Sequence, residues 1–249
     1  MRLTLTDPRY LKDSILIVSE LVNEANIRLL NDRVELIAMD PANVAMVIFR
    51  LLSSAFVEYN VQEERTIGVN LGNLTQILKR AKPTDTLTLE LDEKRNRLNV
   101  ILKGITTKNF ELALLDIDEK EQKVPNLKFN AKVETNALVF NDAIEDMDII
   151  GDSLSFIVNP DKFVIQCEGN VSSGKIEMVS NEDTAMEVVN SGPVSSRYSI
   201  EYLKKIMKGS KLANTVILEF GQDYPLKTSY NVMDKLSLLF ILAPRQPVD

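Results

Sequence analysis

Apolar and polar residues alternate with period two through most of the chain. Leu87-Thr88-Leu89-Glu90-Leu91 is one instance; residues 33–39, 97–103, 109–114, 153–158, 163–168, 175–179, 216–220 and 236–242 are others, and 44–49 is a nearly continuous apolar run. Successive side chains of a strand point to opposite faces, so these runs predict half-buried antiparallel strands. Turn-forming clusters separate them, among them Asn31-Asp32, residues 92–96, Asn159-Pro160-Asp161, Ser172-Ser173-Gly174 and residues 221–225. The short spacings predict hairpins and meanders.

Helical periodicity is confined to four segments. Residues 10–25 place Leu11, Ile15, Val18, Leu21 and Val22 on one stripe; residues 73–81 do so with Leu74, Ile77 and Leu78. Residues 137–149 carry Leu138, Ala143, Ile144 and Met147, and residues 200–210 carry Ile200, Leu203, Ile206 and Met207. Each stripe is expected to lie on a sheet, leaving the opposite face to solvent or a partner. Leu11, Leu74, Leu138 and Leu203 follow one another at steps of 63, 64 and 65 residues. That spacing reads as a fourfold repeat of one helix plus strands, or as evenly spaced helices in an unrepeated mixed fold. Paired repeats divide the chain into residues 1–115, a connector over 116–130 and residues 131–249. The connector, DIDEKEQKVPNLKFN, reads as an ordinary surface loop or as a long strap between two similar domains. Val124 is held extended by Pro125, which suits it to wall a groove.

Composition narrows the chemistry. The chain has 249 residues, 45% apolar and 26% charged, as in a folded chain with a sizeable core. No run approaches the roughly 20 apolar residues of a membrane helix, and MRLTLTDPRY lacks a secretory pattern. The absence of histidine excludes histidine triads, histidine bases and histidine-ligated zinc, and the single Cys167 excludes intrachain disulfides and thiolate clusters. A cytoplasmic location is the expectation. No GxGxxG or Walker loop occurs, and glycine is scarce. Asp40 before Pro41 reads as a turn initiator; Asp142, Glu145, Asp146 and Asp148 read as a solvated helix face. No metal, cofactor or reaction is expected.

The net charge is −7, yet basic residues are segregated. Lys79, Arg80 and Lys82 close the second helix, and Lys204, Lys205, Lys208 and Lys211 occupy the fourth, with 204, 208 and 211 on one face. Arg9 and Lys12 lie on the first. Such faces are either solvated lysine surfaces or surfaces that track phosphates without reading bases. No aromatics interleave them, so base stacking is not indicated. Residues 240–245 read as a last buried strand or as the floor of a groove.

Four segments together resemble a known family: LIAMDPANVAMV (residues 36–47), TIGVNLGNLTQILKRAK (66–82), LLDIDEKEQKVP (114–125) and FILAPR (240–245). They are similar, in order and over essentially the whole chain, to the DNA sliding clamp family of proliferating cell nuclear antigen, especially its archaeal members. The resemblance implies an α+β fold of two similar domains, each with two helices packed on curved antiparallel sheets. It implies closure of three chains, head to tail, into a ring with the helices inside. The implied function is a non-enzymatic processivity factor that encircles duplex DNA without reading sequence and tethers replication and repair enzymes, with no cofactor of its own.

On this resemblance the DNA-facing residues are Lys12, Lys79, Arg80, Lys82, Lys204, Lys205, Lys208 and Lys211. The third helix departs, being acidic where some family members place arginines. A partner-peptide pocket would be formed by Met39, Asn43, Val44, Val124, Pro125, Pro225, Ile241, Leu242, Ala243 and Pro244, with Asn43 standing where some relatives have histidine. The subunit interface would join Lys108, Phe110 and Leu112 on one edge to Lys175, Ile176 and Met178 on the other, with Phe110 near Ala143, Ile144 and Met147 of a neighbour. Implied partners are duplex DNA, clamp subunits in a homo- or heterotrimer, DNA polymerase, a clamp loader, flap endonuclease and DNA ligase, the enzymes docking through short peptide motifs. The alternative is a clamp-fold peptide-binding scaffold that does not encircle DNA, which the acidic third helix favours; a carboxylate-dependent hydrolase finds no supporting motif.

Overall fold

The computed structural model describes residues 1–118, 122–189 and 192–245. The chain forms two compact units. The first comprises Met1–Pro41, Val47–Val124 and Val232–Leu238; the second comprises Ala42–Met46, Pro125–Asn231 and the stretch from Leu239 onward.

The first half of the chain runs β1 (Arg2–Leu5), α1 (Arg9–Val18), β2 (Glu24–Leu29), β3 (Arg33–Met39), β4 (Ala45–Leu52), β5 (Glu58–Asn60), β6 (Arg65–Asn70), α2 (Leu71–Leu78), β7 (Thr86–Asp92), β8 (Arg97–Lys103) and β9 (Thr107–Ala113). The second half runs β10 (Ala131–Asn136), α3 (Ala137–Asp148), β11 (Ser153–Val158), β12 (Lys162–Glu168), β13 (Ser173–Val179), β14 (Ala185–Val188), β15 (Val194–Ser199), α4 (Ile200–Ile206), β16 (Thr215–Phe220), β17 (Leu226–Val232) and β18 (Leu236–Leu242). The element order is identical, and so is the strand pairing. The first half contains the orders β5-β1-β7-β8-β9 and β4-β3-β2-β6; the second contains β14-β10-β16-β17-β18 and β13-β12-β11-β15. Each strand of one half therefore has a counterpart in the other, which bears out the reading of paired repeats.

Helix starts repeat as well. Asn70 caps α2, its side chain accepting from the Asn73 N–H at 2.9 Å, and Asn136 caps α3, accepting from the Leu138 N–H at 2.9 Å. An N-cap oxygen satisfies a donor that the helix itself leaves open. The first N–H of three helices finds a loop carbonyl, Leu71 donating to Asn23, Ala137 to Asn214 and Ile200 to Asp152, whereas that of α1, on Arg9, donates to the Asp7 carboxylate at 3.0 Å.

The helices depart from expectation: α2 spans Leu71–Leu78 rather than residues 73–81, and the others differ as follows. Helix α1 stops at Val18 rather than continuing to residue 25. Ser19 Oγ turns back onto the Leu16 carbonyl at 2.8 Å and β2 begins at Glu24, while Leu21, Val22 and Ala25 are buried by the turn and strand. Helix α4 ends at Ile206 and tightens into a 3₁₀ turn, Met207–Lys211. Leu138 is 63% exposed and does not belong to the buried stripe of α3. Phe140 takes that place, as the fourth residue of its helix, where α2 has Leu74 and α4 has Leu203.

The cores differ in character. The first unit is filled mainly with aliphatic side chains such as Leu3, Leu5, Ile15, Leu71, Leu87 and Val100, all fully buried. The second is built around Phe156, whose ring centroid lies 5.3 Å from Phe163, 5.4 Å from Tyr198, 5.9 Å from Phe140 and 6.0 Å from Phe220. Edge-on and tilted contacts of this kind add to the area they bury. Among the described residues, no helix is long and apolar enough to cross a membrane.

Candidate nucleic-acid interface and docking surfaces

In the first unit, cationic side chains gather where α2 ends. Lys12 of α1 is half-buried and donates from Nζ to the Ala81 carbonyl at 3.0 Å; Lys108 of β9 donates to the Arg80 carbonyl at 3.4 Å. These two lysines cover the negative end of the α2 dipole. Lys79, Arg80 and Lys82 follow it and are exposed. Lys108, expected at a subunit edge, thus joins the cluster. Alternation along β9 does not reveal this, because the contact is made by tertiary packing.

The basic residues of the second unit sit in a different setting. Lys204, Lys205 and Lys208 line a cleft of about 680 Å³ together with Glu145, Asp148, Asp152, Glu201 and Arg245. Lys204 Nζ lies 2.5 Å from Asp148 Oδ2, which ties α4 to the acidic helix α3. Lys205 pairs with Glu201 at 3.0 Å and stands 5.1 Å from the Tyr202 ring centroid. A hydrogen bond from Arg245 holds the Asp152 carboxyl below the usual carboxylate range. Lys211 is exposed. Among the described residues, no group of three or more histidine, cysteine or acidic side chains is arranged to hold a metal ion.

Among the described residues, β9 pairs only with β8 and β13 only with β12, so each is an edge of its sheet, as are β5, β6, β14 and β15. On β9, Phe110 is half-buried and Leu112 buried; on β13, Ile176 is half-buried and Met178 buried. Ionic ties brace both edges: Glu111 meets Arg95 at 3.2 Å, and Glu177 meets Lys175 at 2.5 Å and Lys162 at 3.0 Å. Hydrogen bonds from Lys175 and then Lys162 keep the Glu177 carboxyl below its ordinary value. Ala143, Ile144 and Met147 are buried within their own unit, as the apolar stripe of the third helix predicts, and so offer little surface to the Phe110 of a neighbour. Gly174 lies over Met147; a Cβ there would stand 3.0 Å from Met147 Cε.

The residues expected to form a peptide pocket divide between the units. In the first, Met39 is half-buried at the end of β3 and Val124 is 42% exposed. The start of the connector is seated on β6: the Leu115 N–H donates to the Gly68 carbonyl at 2.8 Å, and Asn26 Nδ2 donates to the Ile117 carbonyl at 3.3 Å. In the second, the Ala243 N–H donates to the Val44 carbonyl at 2.9 Å, which brings these two residues together. Asn43 is exposed with φ of 57°, a left-handed conformation that asparagine tolerates better than most side chains. Pro125 is exposed; Pro225, Ile241, Ala243 and Pro244 are half-buried. Leu242 is fully buried and acts as core. Beside Pro225, Tyr224 meets Phe129 edge-on at 6.1 Å, and Lys227 Nζ stands 5.8 Å from the Phe129 ring. This aromatic pair escaped the sequence reading because its members are almost a hundred positions apart.

The geometry defines a class of protein: a duplicated α+β fold in which each half carries a helix pair and antiparallel strands. Family models for the N-terminal and C-terminal domains of proliferating cell nuclear antigen match residues 2–123 and 123–245. The DNA polymerase sliding clamp of Nanoarchaeum equitans is 34% identical over 247 residues, covering 98% of this chain and 99% of that protein. The clamp of Pyrococcus furiosus is 35% identical over 227 residues, 91% of each. The crystal structure of PCNA from Thermococcus kodakaraensis matches with a TM-score of 0.92 at 28% identity, covering 98% of this chain and 99% of that one. This chain belongs to the proliferating cell nuclear antigen family, as the four sequence segments indicated.

Proposed function

We propose that this chain is a subunit of a DNA polymerase sliding clamp, a non-catalytic processivity factor acting on chromosomal DNA in the cytoplasm. The observation that carries the reading is the match of both halves, over nearly the full length, to a family whose similar members bear that name. The same full-length match disfavours the scaffold alternative.

The physical mechanism is topological. Three copies close into a ring by joining the β9 edge of one to the β13 edge of the next; a head-to-tail interface closes when its rotation divides the circle. Pairing also removes two edges that would otherwise invite aggregation. Duplex DNA carries a phosphate about every 1.7 Å of axis, so a cationic lining gains little from any one register and slides. Retention then comes from encirclement. Partner enzymes, including polymerase, clamp loader, flap endonuclease and ligase, dock through short helical peptides, for which Val44, Pro225 and Ile241 of the second unit supply apolar side chains.

Primer extension on a long singly primed template tests the reading, run with and without the chain and its loader and read alongside the solution mass. Longer products together with a mass of three chains are the expected result. Unchanged product length with the loader present would refute it.

A further inference from the structure

The two helix pairs carry opposite charge. Around α1 and α2, residues 7–18 and 71–85 hold five basic and three acidic side chains, net +2. Around α3 and α4, residues 137–152 and 200–211 hold four basic and six acidic side chains, net −2. At physiological salt, charges beyond about 8–10 Å are largely screened. The local balance of each pair therefore outweighs the −7 of the whole chain in what a phosphate meets.

Ion pairing deepens the contrast. In the second pair, Lys204 lies on Asp148 at 2.5 Å and Lys205 on Glu201 at 3.0 Å, while Asp142, Glu145 and Asp146 are exposed. In the first pair, Asp7 is engaged by Arg9 at 2.7 Å, and Asp85 is buried, accepting from the Lys82 N–H at 3.0 Å. Lys12 and Lys108 cover the Ala81 and Arg80 carbonyls, so the negative helix end does not offset its neighbours. Lys79, Arg80 and Lys82 are left exposed, with no carboxylate within ion-pair distance among the described residues.

We infer that the phosphates of the duplex are held by the α1–α2 side of each subunit, with Lys79, Arg80 and Lys82 as the anchoring cations, and that Asp148 withholds Lys204 from them. This rests on the reading that the chain encircles duplex DNA. The two helix pairs then contribute unequally, the first attracting the phosphates and the second repelling them.

The test is binding of a fluorescent duplex oligonucleotide by the assembled protein, followed by anisotropy across a salt series, with solution mass and primer extension measured in parallel. Each phosphate contact adds about 0.9 to the slope of log K against log salt. The triple variant Lys79→Ala, Arg80→Ala, Lys82→Ala is expected to lower that slope by about 0.9 for each cation that meets a phosphate, about 2.7 where all three of one subunit do, at unchanged mass. Lys204→Ala is expected to leave the slope within about 0.3 of the parent. Asp148→Asn, which releases Lys204, is expected to tighten binding about two- to fivefold. Arg80→Ala alone, lowering the slope by under about 1, serves if the triple variant does not assemble. Equal slope losses for Lys204→Ala and the triple variant, or weaker binding by Asp148→Asn, would overturn the inference while leaving the clamp reading intact. A parent that neither binds duplex nor extends primers would remove the clamp reading and this inference with it.

Discussion

Gly209 lies flat against the ring of Tyr230: a Cβ at position 209 would stand 2.3 Å from Tyr230 Cδ2. The 3₁₀ turn that ends α4 reaches β17 only because that carbon is missing. Tyr230 is fully buried there, and its hydroxyl meets no hydrogen-bond partner among the described residues. Burial pushes its phenol well above the ordinary tyrosine range.

Gly209→Ala is therefore expected to destabilise the fold by about 1–3 kcal/mol through overpacking. Tyr230→Phe removes a buried hydroxyl without a partner and is expected to be neutral or stabilising by up to about 1 kcal/mol. Urea unfolding of both variants checks the pair. A loss of stability in Tyr230→Phe would mean that its hydroxyl is satisfied in solution.

Gly68 fixes the connector. A Cβ there would stand 2.4 Å from the Leu115 carbonyl oxygen, so any side chain lifts the strap from β6. Gly68→Val is expected to weaken binding of a polymerase-derived docking peptide by about tenfold, or 1.4 kcal/mol. Calorimetric titration measures this, and circular dichroism reports whether the fold persists. Undiminished affinity would disconnect the strap from peptide docking.

Glu35 is 3% exposed at its side chain and accepts from Arg50 Nε at 2.7 Å and Arg33 Nε at 3.3 Å. Burial works to raise its carboxyl, but the hydrogen bonds and charges of Arg50 and Arg33 outweigh this and hold it below the ordinary 4.5. The unfolded chain then binds the proton more readily than the folded one. This contribution is present above pH 4.5 and is lost as pH falls through the lower folded value. Glu35→Gln is expected to cost about 1–3 kcal/mol near neutral pH, less than a fully buried pair because the guanidiniums are partly solvated. Parent and variant should converge in acid. Parallel stability curves from pH 7 to about 3 would contradict the assignment.

Phe110 is the largest apolar side chain on the β9 edge. Phe110→Asp places a charge where a second copy would pack and is expected to reduce the solution mass from three chains to one. Light scattering at micromolar concentration reads the change. A mass of three chains in the variant would move the interface away from β9.

Much of this was legible in residue order alone. Period-two alternation located β3, β8, β11 and β18 at their observed bounds, because a half-buried strand writes its two faces directly into the sequence. Strands such as β15 escaped because serine fills inward positions: Ser196 is buried and its Oγ donates to the Tyr224 carbonyl at 3.1 Å. That partner lies 28 residues away and leaves no local periodic trace.

The sequence by itself determined the duplication, the four helices and the family, since each is carried by local periodicity or by runs of consecutive residues. Tertiary structure decided which charges are available. Lys204 looks as accessible as Lys79 in the sequence, but only packing of α3 beside α4 brings Asp148 onto it. It also decided that Leu138 faces solvent while Phe140 enters the core, because a side chain's direction depends on where its helix begins. Electrostatic and packing partners are set by distance in space, and a linear pattern does not record that distance.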